Sequence, residues 1–347
     1  MKIVYILPSL DSKAPIFIAK RLSDFFLKQG HEVYVFYFDD IIKVDFNCSC
    51  KKINMNEPIQ FDDFDIVHSH MMRPDKYVAK YSHLINRAKT VTTIHCNIKD
   101  DLFWSYGRIV SFVYEKLWIG WLKKFDSTIQ INDYLLEIYS KRLQHNTLIY
   151  NGISVSPDKD DYSEIIQRIK DYKSYGKKVL CSYSGIVERK GLFQILKLLK
   201  IRNDLAYICI GEGKQKNFLV DYAEKNNISD RIFFSSFKNN PYHVMKYADI
   251  FTIPSYSEGF SLALLEAGSV GASVVCSDIS AFNKPFSSDE VTFFELDDID
   301  SLSFAVDEAF ELKIKKKVAL KKKVLENFSE EKMFQNYKKL YEVLNEN

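Results

Sequence analysis

Twice along its 347 residues the chain alternates short apolar runs of strand type with amphipathic helical stretches. This alternation constrains the fold more than any single motif does. Parallel strands joined by crossover helices form a sheet covered on both faces. In the first half KIVYIL, HEVYVFYF, DIVHSH, TVTTIHC, STIQIN and NTLIYNGI read as strands. Residues 14–29 read as an amphipathic helix closed by Gly30, and 134–143 as another. A second series follows, with strands at VLCSYSG, LAYICIGEG, RIFFSS, DIFTIPS and SVVCSD. Its helices are expected at 192–199, 217–226 and 241–247 and around Glu266, and the tail from Ser301 is helical by pattern. The polar stretch SVSPDKDDYSEIIQRIKDYKSYGKK separates the two series and reads as a linker with a short helix. The expected architecture is α/β: two doubly wound parallel-sheet units facing across a cleft. The expected boundaries are 1–155, a linker over 156–177, 178–328, and a last helix over 329–347. Ligands of such sheets bind at the carboxyl ends of strands, and clefts between domains are favoured sites.

Composition removes several function classes. A net charge of +2 gives no basis for nucleic-acid binding. No apolar run reaches the ~20 residues that cross a bilayer. MKIVYILPSLDSKAP lacks a signal-peptide layout and reads as a first strand and turn, so the expected location is cytoplasmic. Cys96, Cys181, Cys209 and Cys276 lie in or beside apolar runs and are expected as buried free thiols. Cys48-Ser-Cys50 has no matching ligand cluster, and His68 and His70 lack a third ligand, so no metal site is expected.

The chemistry is expected around Glu258-Gly-Phe-Ser-Leu-Ala-Leu-Leu-Glu266, where a loop becomes a helix. If the segment were helical throughout, the two acids would stand about 12 Å apart along the axis. That is roughly the reach from the sugar to the ribose of a nucleotide sugar. One carboxylate would accept hydrogen bonds from sugar hydroxyls and the other from ribose. The amides of Gly259, Phe260 and Ser261 at the helix start would favour the diphosphate between them. The plainer alternative is a core helix with two incidental acids. Arg189 and Lys190 follow a strand and a tight turn, where their charges would neutralise a diphosphate leaving group. Gly211 and Gly213 follow LAYICI and would let a backbone approach a ligand closely, although such a pair also serves as a simple turn. The third glycine of a dinucleotide fingerprint is missing, which counts against a nicotinamide enzyme. His95 ends TVTTIHC at the expected cleft edge, placed to hydrogen-bond a sugar or to serve the structure alone.

Two further stretches admit two readings. Residues 101–124 hold Phe103, Trp104, Tyr106, Phe112, Tyr114, Trp118 and Trp121 beside Lys116, Lys123 and Lys124. Aromatics beside lysines suit a lipid interface. They run nearly all round a helix, however, and core packing is the preferred expectation. The lysine-rich 312–323 stretch is expected to be a solvated helix face rather than a patch for anionic lipid.

SYSEGFSLALLEAGSVGASVVCSD resembles the Glu-x7-Glu signature of the retaining glycosyltransferases of family 4. DIVHSH, TTIHCN, LIYNGI, GIVERKG, IGEG and FSEEKMFQNYKKLYEVL resemble further blocks of that family, in its order. The resemblance is strong from Val179 to Asp278 and looser before Asp65. It implies the GT-B architecture, with two Rossmann-like domains and a terminal helix crossing back to the first. Glu258 would contact the donor sugar, Glu266 the ribose, Lys190 the diphosphate and His95 the transferred sugar. Gly259 to Ser261 would offer amides to phosphate. Asn151 and Gly152 match the turn before the linker. The implied reaction is a front-face transfer from a UDP- or GDP-sugar, without metal or cofactor. The implied acceptor is a glycan on a lipid carrier, in the making of O-antigen, capsule or exopolysaccharide, with peripheral contact at the inner membrane. Two positions depart from the family pattern. Gly185 stands where an Arg is usual, and Ser12-Lys-Ala-Pro15 replaces a Gly-Gly turn. The first departure motivates one alternative, a non-catalytic sugar-nucleotide-binding subunit of a transferase pair, and another GT-B enzyme such as a sugar-nucleotide epimerase stays open beside it.

Overall fold

The structure, a computed structural model, describes residues 1–154, 162–237 and 242–346. It divides into two compact units, Met1–Asn151 with Glu330–Asn347, and Gly152–Ser329.

The first unit runs β1 (Lys2–Leu10), α1 (Ala14–Lys28), β2 (Glu32–Ile42), β3 (Ser49–Lys52), β4 (Ile66–His70), α2 (Met72–Lys80), β5 (Lys89–Ile94), α3 (Ile98–Tyr106), α4 (Arg108–Leu122), β6 (Ser127–Gln130), α5 (Asp133–Ser140) and β7 (Asn146–Leu148). Its seven strands are parallel, in the order β3-β2-β1-β4-β5-β6-β7. Ile3 to Leu7 of the central strand β1 are fully buried. A strand covered on both faces has such a continuous apolar run. Pro15 lies in the first turn of α1, where its missing N–H removes nothing from the helix. Val4, Ile6, Phe36, Phe38, Val67 and Tyr77 meet in one core cluster. Each fully buried side chain of this size contributes about 1.5–3 kcal/mol.

The second unit runs α6 (Ser163–Ser174), β8 (Lys178–Tyr183), α7 (Phe193–Ile201), β9 (Leu205–Ile210), α8 (Lys216–Lys225), β10 (Ile232–Ser235), α9 (Tyr242–Met245), β11 (Ile250–Ile253), α10 (Leu262–Ser269), β12 (Val274–Ser277), α11 (Ser280–Asn283), β13 (Thr292–Phe294), α12 (Ile299–Glu311) and α13 (Lys313–Asn327). Its sheet is also parallel, in the order β10-β9-β8-β11-β12-β13. In both sheets the chain steps outward one way from the first strand and then reverses. In the second unit the reversal lies between β8 and β11, so a crevice is expected beyond their carboxyl ends. α14 (Glu330–Glu346) then packs on the first unit. Phe334 stacks on Phe25 at 4.7 Å, and Tyr341 on Phe26 at 4.9 Å. The linker expected over 156–177 lies outside the described residues as far as Asp161, and α6 occupies most of the remainder. The first residue of the helix expected at 241–247 lies outside them as well.

Three expectations need correction. The aromatic segment is only half buried. Trp118, Ile119 and Leu122 face inward, whereas Phe103, Tyr106, Phe112 and Tyr114 are exposed. α4 is apolar on two faces, and the body of the unit covers one. Its anchor is Trp118, whose Nε1 donates to Asp75 Oδ2 of α2 at 2.7 Å. Cys96 is half-buried because it lies past the end of β5, while Cys181, Cys209 and Cys276 are buried free thiols. The lysines of α13 are not simply solvated. Lys316 is buried and donates to Glu308 at 2.6 Å and Thr292 at 2.8 Å, and Lys313 reaches Asp249 at 2.8 Å.

Candidate donor site

The site in the second unit is built from two loops at the switch point. One follows β8 and carries Ser184 to Gly191. The other follows β11 and carries Pro254 to Ser261. Backbone geometry clamps the loops together. Tyr256 N–H donates to Arg189 O at 2.9 Å, and Arg189 Nη1 donates to Ser257 O at 2.9 Å. Gln194 is buried and bridges outward: its Nε2 donates to Pro254 O at 2.9 Å, and its Oε1 accepts from Asp297 N–H at 2.8 Å. Ser277 Oγ donates to Ser255 O at 2.5 Å. Tyr256 hydroxyl bonds Asp297.

Gly191 closes this clamp with φ +62°, and a Cβ there would lie 1.9 Å from Pro254 O. Alanine meets both a left-handed backbone, unfavourable by about 1–2 kcal/mol, and a clash with a carbonyl that is already hydrogen-bonded. Gly191→Ala is therefore expected to destabilise the chain by roughly 2 kcal/mol or more. It should also displace the loop that carries Glu258. A urea titration checks the first effect, and nucleotide-sugar affinity measured well below the unfolding midpoint checks the second.

Within the clamp, Glu258 and Lys190 are each other's partners. Lys190 Nζ donates to Glu258 Oε1 at 2.6 Å, and Ser255 Oγ donates to the same oxygen at 2.8 Å. Glu258 is only 7% exposed. Burial on its own would raise its carboxyl pKa. The positive charges of Lys190 and Arg189, with the two hydrogen bonds, outweigh that and hold it below the ordinary value. The side chains of Tyr183, Ser184, Lys190, Leu192, Thr252, Ser255, Glu258 and Ser261 surround a cavity of about 20 Å³, room for a single water.

Glu258 lies in the loop, so the helical spacing to Glu266 does not apply. α10 starts at Leu262, with Ser261 as its N-cap accepting from Leu264 N–H at 3.3 Å. Gly259 and Phe260 precede that cap, and the ring of Phe260 packs edge-on against Phe328 at 5.3 Å. Glu266 is half-buried on the second turn of α10. Its charge, secondary to burial, helps push the Tyr183 hydroxyl up to about 12, which places the two side chains near each other. Gly268 lets α10 pack closely on α13, since a Cβ would meet Val324 at 2.8 Å.

Gly211 and Gly213 make room for the chain itself. Cβ atoms there would lie 1.9 Å from Ser184 O and 2.2 Å from Ile186 O. The pair seats the Ser184–Ile186 segment that leads to Lys190, and Ile186 N–H donates to Glu212 O at 2.9 Å. Sequence reasoning missed Ser255, Tyr183 and Gln194. Ser255 and Tyr183 had a usable signal, since each lies at the carboxyl end of a strand flanking the switch point. Gln194 had none.

His95 belongs to the first unit, just past β5. Its Nε2 lies 2.8 Å from His70 Nδ1. His68 and His70 stack at 4.2 Å between their ring centroids. His68 bonds Tyr341 hydroxyl at 2.6 Å and Thr93 Oγ1 at 2.9 Å. Burial pushes His95 down to about 3 and the other two well below their ordinary value, so all three are neutral near pH 7. His70 Nε2 is buried without a partner among the described residues. The tautomer that orphans no N–H puts the proton of His70 on Nδ1, donating to His95 Nε2. His95 then carries its own proton on Nδ1.

Residues 164–326 match the family model of glycosyl transferases group 1. Most of the second unit is thus similar to this glycosyltransferase family. Over 310 residues it is 28% identical to an O-antigen biosynthesis glycosyltransferase, WclY, of Escherichia coli, covering 84% of each. Over 141 residues, 38% of each, it is 27% identical to a Campylobacter jejuni enzyme. That enzyme is named as an N-acetylgalactosamine-N,N'-diacetylbacillosaminyl-diphospho-undecaprenol 4-alpha-N-acetylgalactosaminyltransferase. Among solved structures, Anabaena Alr3699/HepE in complex with UDP and glucose superposes with a TM-score of 0.81. It does so at 13% identity, over 99% of this chain and 100% of that one. The two Rossmann-like units of this chain are thus those of the GT-B fold. No group of three or more metal-ligating side chains occurs among its described residues.

Proposed function

We propose that this glycosyltransferase moves a sugar, with retention, from a UDP- or GDP-sugar to a glycan on a lipid carrier in bacterial surface polysaccharide biosynthesis. The observation that carries this reading is the Lys190–Glu258 pair beside Arg189, at the start of α10. In the free protein each charge is satisfied by the other. An arriving diphosphate takes over Lys190 and meets Arg189 and the first N–H groups of α10. Glu258 is thereby released toward the sugar hydroxyls, and Glu266 faces the ribose. His95, neutral, offers its Nδ1–H to the transferred sugar. The acceptor hydroxyl attacks the anomeric carbon on the face the diphosphate leaves, and a phosphate oxygen takes the proton. Catalysis is then positioning and charge stabilisation, with the side-chain cations and helix N–H groups in the place a metal would take. The acceptor class follows what the Escherichia coli and Campylobacter relatives are named for.

Calorimetry with UDP- and GDP-sugars, paired with transfer and donor-hydrolysis assays, tests the reading. One donor is expected to bind and turn over, and EDTA is expected to leave the rate unchanged. Binding without turnover on any acceptor supports the non-catalytic alternative that Gly185 motivates. Strong inhibition by EDTA rejects the metal-free scheme.

A further inference from the structure

His68 and His70 lie two positions apart on β4, so both side chains leave the same face of the sheet. Tyr5 of β1 stands beside His68 in register, and its ring lies 6.0 Å from that of His70. His68 is bonded at both ring nitrogens, to Tyr341 of α14 and to Thr93 of β5, and the ring of His70 stacks on it. A rigid wall therefore stands behind His70. His70 itself is fully buried, and its Nδ1 meets Nε2 of His95 at 2.8 Å. Its Nε2 has no partner among the described residues. A phenyl ring would fill this space with no buried ring nitrogen to satisfy, and a core chosen for stability alone would take it. The bond to His95 is what sets the histidine apart from such a ring.

That bond decides what His95 shows to its surroundings. Two neutral imidazoles share one proton across it. If His95 gave the proton, His70 would keep its own on Nε2, a buried N–H with no acceptor. His70 therefore gives it, and His95 carries its proton on Nδ1. His95 is half-buried, just past β5 at the carboxyl edge of the sheet. We propose that His70 is a positioning residue for sugar transfer: it holds the ring of His95 at Nε2 and fixes that ring as an Nδ1–H donor toward the ligand. The other tautomer would present a bare nitrogen in that place, and a turned ring would present a C–H. The wall behind His70 extends to Tyr341, so α14 takes part in holding this donor. The effect on rate rests on the transfer reading above, and the tautomer does not.

The test pairs transfer kinetics with nitrogen NMR of the full chain labelled in its histidine rings, where the shifts tell a protonated ring nitrogen from a bare one. A His95→Gln sample assigns the signal. The wild type is expected to show His95 protonated on Nδ1 at pH 7. His70→Phe should let the ring turn, mix the two tautomers and lower kcat by about 10–100-fold, the loss that follows when the partner of a functional imidazole is removed. Its urea midpoint should match or exceed that of the wild type, since the orphaned nitrogen is gone. His70→Asn carries an amide nitrogen on Cγ, where Nδ1 stood. It should restore the bond, the Nδ1 proton and the larger part of kcat, while its smaller side chain leaves a void and lowers the urea midpoint. Activity then follows the tautomer and runs opposite to stability, which a histidine of structural role alone would not produce. A wild-type His95 protonated on Nε2 overturns the proposal. So does a His70→Phe protein as fast as the wild type, or a pair of variants whose rates follow their urea midpoints. Absence of transfer by the wild type counts against the transfer reading, and the spectrum then decides the tautomer by itself.

Discussion

Glu258→Gln and Lys190→Ala are each expected to slow sugar transfer by about 10²–10³-fold, the usual consequence of removing one preorganised charged group from a transition state. Their effects on stability should differ. Lys190 is the more exposed partner, with 20% of its side chain accessible against 8% for Glu258. Without Glu258, the ammonium can turn to water at little cost. Without Lys190, a carboxylate stays enclosed with Ser255 and the charge of Arg189, and breaking a buried pair in this way destabilises by as much as ~3 kcal/mol. The pH dependence gives the sign. In the wild type the folded pKa of Glu258 is depressed, so its stabilising contribution is present above the ordinary carboxylate value and is lost as pH falls through the folded one. In Lys190→Ala burial has less to oppose it and the folded pKa rises. That variant then becomes less handicapped as pH falls, because the enclosed carboxyl takes up a proton. Urea midpoints of both proteins between pH 4 and 8 should therefore converge on the acid side. A gap that stays constant or widens there would show that Lys190 does not hold this carboxylate in its charged form.

The sheets were legible because buried parallel strands are written as continuous apolar runs, and Ile3–Leu7 or Leu205–Ile210 carry that signal in a few residues. β3 carried none, since all four of its residues are exposed at a sheet edge, and β13 spans only three residues. The two acids were legible as a motif. Their surroundings were not, because Lys190 meets Glu258 across 68 positions of sequence, and register and switch point decide that meeting. Local sequence also hides what a glycine makes room for. Gly211 and Gly213 read as openings for a ligand, and they are filled by the backbone of Ser184 and Ile186. The histidines show the same limit. Three rings contributed by β4 and the end of β5 form one neutral network with tyrosines from α14, some 270 positions away. Aromatic content alone could not separate a packed helix from one that is apolar on both sides, since only tertiary contact tells which face is covered.

Asp75→Ala is expected to be the most destabilising substitution in the first unit, at roughly 3 kcal/mol or more. Asp75 is 1% exposed and accepts from Ser69 Oγ at 2.6 Å, Thr92 Oγ1 at 2.7 Å and Trp118 Nε1 at 2.7 Å. Each buried donor left without an acceptor costs about 1–3 kcal/mol. The two hydroxyls can rotate toward other acceptors, but the indole N–H has one direction only. Its loss also frees the inner face of α4, so the variant should detach the hairpin before the sheet melts, seen as early loss of protection in hydrogen exchange over Arg108–Leu122. Asp75 also sets a pH dependence opposite to that of Glu258. Burial, opposed by the three donors, raises its carboxyl to about 6. Between the unfolded value near 4 and the folded one, the native state holds a proton that the unfolded chain has released, so this group's contribution to stability falls as pH rises through that window and is constant above it. Asp75→Asn removes the titration while keeping one acceptor oxygen. The stability difference between wild type and Asp75→Asn should therefore shrink by roughly 2–3 kcal/mol from pH 4 to pH 7. A difference independent of pH would mean that the carboxyl stays ionised throughout, and that the three donors, rather than burial, dominate its environment.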